Sequence, residues 1–187
     1  MVSTQVRCVF LDRDGTLIRH IPYLSDPAQV DLLPTVVEGL DVLTQAGCRL
    51  FLHTNQSGIG RGYFTEAQAD ACNKEMLRQI GRPEPLFTGV CMSPEMPGEE
   101  PKYRKPAPHF ALEMLAKYSI VPEQACYVGD SISDLLTAKN FGGLGVGVNT
   151  GIRDLRESLA QAGLTDEFSV FDSFVVATRY IANWSGA

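Results

Sequence analysis

Val9-Phe10-Leu11-Asp12-Arg13-Asp14-Gly15-Thr16-Leu17-Ile18-Arg19-His20 is an apolar run that stops abruptly at two carboxylates one residue apart. Residues 6–11 are too few for a helix and mostly apolar, so they read as a strand buried on both faces. Strands of that kind belong to parallel sheets covered by helices on both sides. In such sheets ligands sit at the carboxyl ends of the strands. Burying negative charge is costly unless something offsets it. A strand ending in Asp12 and Asp14 therefore calls for cationic partners at that end.

The flanking sequence continues the pattern. Residues 35–46 place Val36, Val37, Leu40 and Leu43 at helical spacing behind Pro34 and stop at Gly47. A second strand is expected over 49–53. The capping box Thr65-Glu66-Ala67-Gln68 then opens a helix that runs to Ile80 and ends at Gly81. A third strand over 86–92 leads into the polar, proline-rich loop 93–108. Helices over 109–118 and 131–140 alternate with strands over 125–128 and 144–148. A helix over 155–162, a strand over 168–170 and a last helix to about residue 184 complete the series. Alternating strands and helices predict an α/β fold: one domain over 1–187, with a doubly wound, mainly parallel sheet.

Net charge is −6 with acids and bases well mixed, which supplies no basic footprint for nucleic acid. At 44 % hydrophobic residues the chain builds a core without disulfides. The five cysteines show no C-x-x-C pair, and several sit in apolar runs such as Cys8-Val9-Phe10, as small buried residues of a reducing compartment do. Residues 1–6 carry no charged leader, and no apolar run approaches the ~20 residues of a membrane helix. The expectation is a cytoplasmic monomer that engages no membrane.

Four predicted strand ends carry the chemistry. They are Asp12-Arg13-Asp14-Gly15-Thr16, Thr54-Asn55-Gln56-Ser57-Gly58, Arg104-Lys105-Pro106 in the loop after the third strand, and Gly129-Asp130-Ser131-Ile132-Ser133-Asp134. Each has a plain structural reading. An isolated D-x-D also makes turns or caps, Ser131-x-x-Asp134 is a capping box, Thr54-Asn55 suits loop hydrogen bonding, and Lys105 suits solvent. Together, on one sheet edge, they make a set for phosphoryl transfer. Oxygen ligands without histidine or thiol suit Mg²⁺. With Lys105 offsetting phosphate charge, one carboxylate is free to attack phosphorus, and a second serves as general acid and base. Thr54 and Asn55 would donate to non-bridging oxygens. Arg13 has two readings: reaching the substrate, or orienting Thr16 and its loop.

These motifs resemble those of the haloacid-dehalogenase-like (HAD) phosphatase superfamily. Thr54-Asn55-Gln56-Ser57-Gly58-Ile59 with Arg61-Gly62, together with Arg104-Lys105-Pro106, resembles more narrowly the histidinol-phosphatase and D-glycero-D-manno-heptose 1,7-bisphosphate 7-phosphatase family. The resemblance implies a Rossmann-like HAD fold with minimal cap insertions, suited to a small phosphorylated substrate. It implies Asp12 as the nucleophile that forms an aspartyl-phosphate and Asp14 as general acid and base. Thr54 and Lys105 would stabilise the transferring group. Mg²⁺ would be held by the Asp12 carboxylate, the Asp14 carbonyl and Asp130. Substrate contacts would come from His20, Ile21, Pro22, Tyr23, Asn55, Gln56, Ser57, Arg61 and Arg104. The family's structural zinc loop departs here, since its ligand positions hold Ser93, Glu95, Pro101 and Tyr103, and Cys91 lies two residues early. Zinc wants nitrogen and sulfur ligands, so none is expected. A heptose bisphosphate is the first substrate choice, with histidinol phosphate or another sugar phosphate behind it. A phosphoryl-accepting signalling domain and a non-catalytic binding domain are the alternatives of another class.

Overall fold

The computed structural model describes residues 5–185. Most of the N-terminal stretch read for a leader lies outside them. Six strands form one sheet: β1 (Cys8–Leu11), β2 (Arg49–Asn55), β3 (Gly89–Ser93), β4 (Ala125–Gly129), β5 (Leu144–Val148) and β6 (Ser169–Phe171). Their order is β3-β2-β1-β4-β5-β6, and every pairing is parallel. The helices are α1 (Val36–Gln45), α2 (Ser57–Gly60), α3 (Glu66–Ile80), α4 (His109–Tyr118), α5 (Ile132–Phe141), α6 (Leu155–Gln161) and α7 (Phe174–Ala182).

The strand period of two explains the layers. Val9 and Leu11, Leu50 and Leu52, and Cys126 and Val128 face a core completed by α1, α3 and α7. The alternate residues Cys8 and Phe10, Phe51, and Ala125 and Tyr127 face a second core under α4 and α5. Phe10 stacks on Phe51 there, with ring centroids 4.9 Å apart. Both faces are apolar, which is why these strands read as unbroken hydrophobic runs.

Several boundaries shift: β1 starts at Cys8 rather than residue 6, and β2 runs on to Asn55, so Thr54 and Asn55 are its last residues. β3 starts at Gly89 rather than residue 86, because Phe87 turns into the core before the ladder begins at Phe51 opposite Gly89. β6 starts one residue late, with Phe168 packed against the small core of Leu135, Leu155 and Leu159. Residues 57–60, expected as loop, form the one-turn helix α2, whose Gly58 is buried so closely under the Phe64 ring that a Cβ would overlap it.

From β1 the chain builds outward through β2 to β3, then crosses to the other side of β1 to start β4. The direction of winding thus reverses between β1 and β4, where open α/β sheets place their ligands. Leu11 lies opposite both Leu52 and Val128, so the residues that follow all three emerge side by side. Two short excursions cover this edge. One is residues 13–33, pinned by the Ile18–Leu32 bridge, and the other is the loop 93–108. No helix among the described residues is long and apolar enough to cross a membrane.

Candidate active site

Asp12 leaves β1 with its N–H bonded to the Val128 carbonyl at 3.0 Å, so the sheet ladder itself fixes its carboxylate. The Lys105 ammonium stands 2.7 Å from Asp12 Oδ1 and 2.5 Å from Asp134 Oδ1. All three are deeply buried, at 6 %, 4 % and 0 % exposure respectively for Asp12, Lys105 and Asp134. Carboxylate oxygens of Asp12, Asp130 and Asp134 lie within 4.8 Å of one another, the one group of three or more possible metal ligands among the described residues. Lys105 is placed by Asn55, whose Oδ1 accepts from the Lys105 N–H at 3.0 Å and whose amide donates to the Lys105 carbonyl at 3.4 Å.

Asp14 has different neighbours. Arg13, with 0 % exposure, donates to it from Nε at 3.0 Å and from Nη2 at 3.3 Å. Thr54 Oγ1 donates to Asp14 Oδ2 at 3.3 Å and Gln56 Nε2 at 3.1 Å. Arg13 thus orients Asp14 rather than the Thr16 side chain, and it also lines the cleft beside it. Gly15 follows at φ +83°, where a Cβ would overlap the Asp130 carboxylate, so only glycine lets this turn pass beside Asp130.

The electrostatics lack positive charge. Burial pushes the Asp12 carboxyl up to about 7; Asp134 and Asp14 add to this, and Lys105 opposes it. Asp130 rises to about 8, through burial and then the charges of Asp12 and Asp134. Asp12 Oδ1 also accepts no well-aligned hydrogen bond, although the ammonium is close. Three crowded carboxylates around one lysine, with a poorly satisfied buried oxygen, fit a hard divalent cation of the Mg²⁺ type.

A cavity of about 170 Å³ opens over Asp12, Asp14, Thr54, Asn55, Lys105 and Asp130. His20 borders it and also lines the adjoining cleft of about 300 Å³, together with Ile21, Pro22, Tyr23, Asn55, Gln56 and Ser57. The residues expected from the sequence to bind substrate thus gather in one place, with two exceptions. Arg61 and Arg104 line neither cavity; they lie near each other, and the charge of Arg61 adds to the burial that lowers the Arg104 pKa. Gln56 lines the cleft but also donates to Thr54 Oγ1 at 2.8 Å, so it holds the site's donors in place. Of the four positions read against the family's zinc loop, three are joined: Ser93 Oγ bonds the Glu95 carboxylate, which also accepts from the Tyr103 N–H.

A family model described as "HAD-hyrolase-like" matches residues 102–175. The chain is 31 % identical to the D-glycero-beta-D-manno-heptose-1,7-bisphosphate 7-phosphatase of Bordetella bronchiseptica over 94 % of this chain and 98 % of that protein. The chain belongs to the HAD-like phosphatases. A crystal structure of the B. bronchiseptica D,D-heptose 1,7-bisphosphate phosphatase, complexed with magnesium and phosphate, superposes with a TM-score of 0.84 at 29 % identity, covering 94 % and 98 % of the two chains. A probable D-glycero-D-manno-heptose-1,7-bisphosphate 7-phosphatase from Thermoplasma volcanium is 32 % identical over 67 % of this chain and 86 % of its own. This HAD-like chain is accordingly a phosphoric monoester hydrolase.

The sequence reading of this phosphatase missed one residue, Asn73, and one contact of Asp134. Asp134 caps α5 as expected, through the Ser131 N–H at 3.0 Å, but also fixes Lys105 from behind. No motif spacing links positions 105 and 134. Asn73 accepts from Arg13 Nη1 at 2.8 Å. The available signal was an asparagine on the α3 face that otherwise buries Ala69, Cys72, Met76 and Ile80.

Proposed function

We propose that the protein is a Mg²⁺-dependent phosphomonoesterase working through an aspartyl-phosphate on Asp12, with D-glycero-D-manno-heptose 1,7-bisphosphate, at its 7-phosphate, as the preferred substrate. The observation that carries the mechanism is the split between the two acids of the D-x-D motif. Asp12 is set against Lys105, Asp134 and Asp130, while Asp14 is held apart by Arg13, Thr54 and Gln56. A phosphoryl-accepting domain wants a long-lived phospho-aspartate and has no need of a placed general acid.

In this reading an Asp12 oxygen attacks phosphorus as the ester P–O bond breaks, and the departing alkoxide takes its proton from Asp14. Asp14 then accepts a proton from water, whose oxygen attacks the same phosphorus and releases Asp12 and inorganic phosphate. Lys105 balances charge beside the nucleophile, and Thr54 and Asn55 donate to the transferring group. The Asp12 carboxylate, the Asp14 carbonyl and Asp130 would hold Mg²⁺, which supplies further positive charge against phosphate oxygens. Because the alkoxide leaves on the Asp14 side, the substrate body falls in the cleft of His20, Ile21, Pro22, Tyr23, Gln56 and Ser57. Arg61 and Arg104 would meet it from the loop side.

The substrate choice draws support from the relatives' activity. Phosphate release should be measured over a panel of sugar phosphates, sugar bisphosphates and histidinol phosphate, with Asp12→Asn as control. A clear preference for the heptose bisphosphate supports the assignment; equal weak turnover of every ester removes it and leaves the chemistry.

A further inference from the structure

The loop 93–105 joins the sheet to two cations of unequal support. Lys105 is tied by both polar atoms of Asn55 and by the carboxylates of Asp12 and Asp134. Arg104 makes no ion pair among the described residues; its Nη1 donates to the Glu95 carbonyl at 3.0 Å. Placement of Arg104 therefore depends on whatever fixes the backbone at Glu95.

That backbone is fixed by its own side chain. Ser93, the fully buried last residue of β3, donates its hydroxyl to Glu95 Oε2. The Tyr103 N–H donates to Glu95 Oε1 at 3.1 Å, closing the loop at its neck. His53 Nε2 meets the Tyr103 carbonyl at 2.8 Å, and the Gln56 N–H donates to the Ser93 carbonyl at 2.7 Å, so both legs of the neck are fastened to the end of β2. Burial pushes the Glu95 carboxyl up, but the bonds from Ser93 and Tyr103 outweigh it and hold it below the usual range. A charged acceptor bonded twice inside its own loop is a strong tie. It replaces with fixed bonds the entropy that a dozen-residue loop would otherwise retain.

We propose that Glu95 is a positioning residue: its carboxylate clasps the neck of the 93–105 loop, and its carbonyl holds Arg104 toward the part of the substrate beyond the transferred phosphate. This rests on the substrate role proposed for Arg104. The clasp leaves Lys105, with its separate anchors, outside its influence.

The test compares Glu95→Ala, Glu95→Gln, Arg104→Ala and the Glu95→Ala/Arg104→Ala double variant. Substrates are the best sugar phosphate of the panel above and p-nitrophenyl phosphate, which lacks the sugar. Glu95→Ala raises KM for the sugar phosphate about tenfold, the scale of one hydrogen bond to a charged group. It leaves kcat within about twofold and leaves p-nitrophenyl phosphate turnover unchanged. Glu95→Gln, which keeps an acceptor for Tyr103 and a partner for Ser93, restores KM. The double variant is no worse than Arg104→Ala. Amide hydrogen exchange at Tyr103 accelerates in Glu95→Ala and slows again in Glu95→Gln. Additive losses, an equal loss on p-nitrophenyl phosphate, or unchanged exchange at Tyr103 overturns the proposal alone. A silent Arg104→Ala overturns the substrate role of Arg104 and this coupling with it.

Discussion

The loop after β1 and the loop after β3 meet over the same cavity but are built by different means. The first is set at its start by the sheet: Asp12 takes its place from the Val128 carbonyl, and Gly15 passes Asp130 with no room for a Cβ. The second travels outward and returns, and its shape comes from hydrogen bonds within itself and to the end of β2. The lesson is a division of labour. Asp12 is fixed by strand register, whereas Arg104 sits on a loop held by its own hydrogen bonds, which alters without disturbing the sheet.

The contrast breaks most severely at the nucleophile. Asp12→Asn should lower phosphate release by about a thousandfold or more, the scale seen when a covalent nucleophile is removed. Circular dichroism and thermal midpoint should stay near those of the parent. Substantial residual turnover would take the covalent step away from Asp12.

Lys105→Ala should harm both stability and activity. It leaves the buried Asp12 and Asp134 without their counter-charge, which costs about 3–5 kcal/mol when one partner of a buried pair is lost. Urea unfolding checks this; a loss below about 1 kcal/mol, as for a surface pair, would contradict the buried geometry.

The acid cluster makes a pH prediction with a definite sign. Asp12 and Asp130 titrate near 7 and 8 in the folded, metal-free chain and near 3.8 when unfolded. The folded state therefore binds more protons across that window, and metal-free stability from this source falls as pH rises through it. Mg²⁺ held by these carboxylates would offset the penalty, so its stabilisation of the thermal midpoint should grow from pH 5 to pH 8. A pH-independent shift, or none, would remove the metal from these carboxylates.

Arg104→Ala probes the other loop and should be milder: KM for the sugar phosphate rises about tenfold, with the thermal midpoint unchanged. Smallest of all, Glu100→Ala at the exposed tip of the same loop should alter stability by less than about 0.5 kcal/mol and leave kinetics as they were. A large effect there would show that the tip, and not only the neck, touches substrate.

Much of the fold was legible because buried strands and amphipathic helices carry their own periods. Capping signals at Thr65 and Ser131 marked helix starts that the structure reproduces. Where reading failed, a distant contact had intervened: Phe87 and Phe168 turn into cores ahead of β3 and β6. Asp12, Asp14, Thr54, Asn55, Lys105 and Asp130 were visible because each follows a strand predicted to end at one edge. Asp134 looked like a cap and is one, but its grip on Lys105 spans 29 positions.

By itself the sequence determined the parallel α/β sheet and the acids, lysine and threonine at its carboxyl edge, because hydrophobic period and strand-end chemistry are local properties. Tertiary structure decided which neighbour each charge received. It gave Asp12 to Lys105 and Asp14 to Arg13, backed Arg13 with Asn73, and closed the outer loop through Glu95. The reason is physical: the energy of a buried charge depends on the few ångströms around it, and those are set by strand register and helix packing that bring distant residues together.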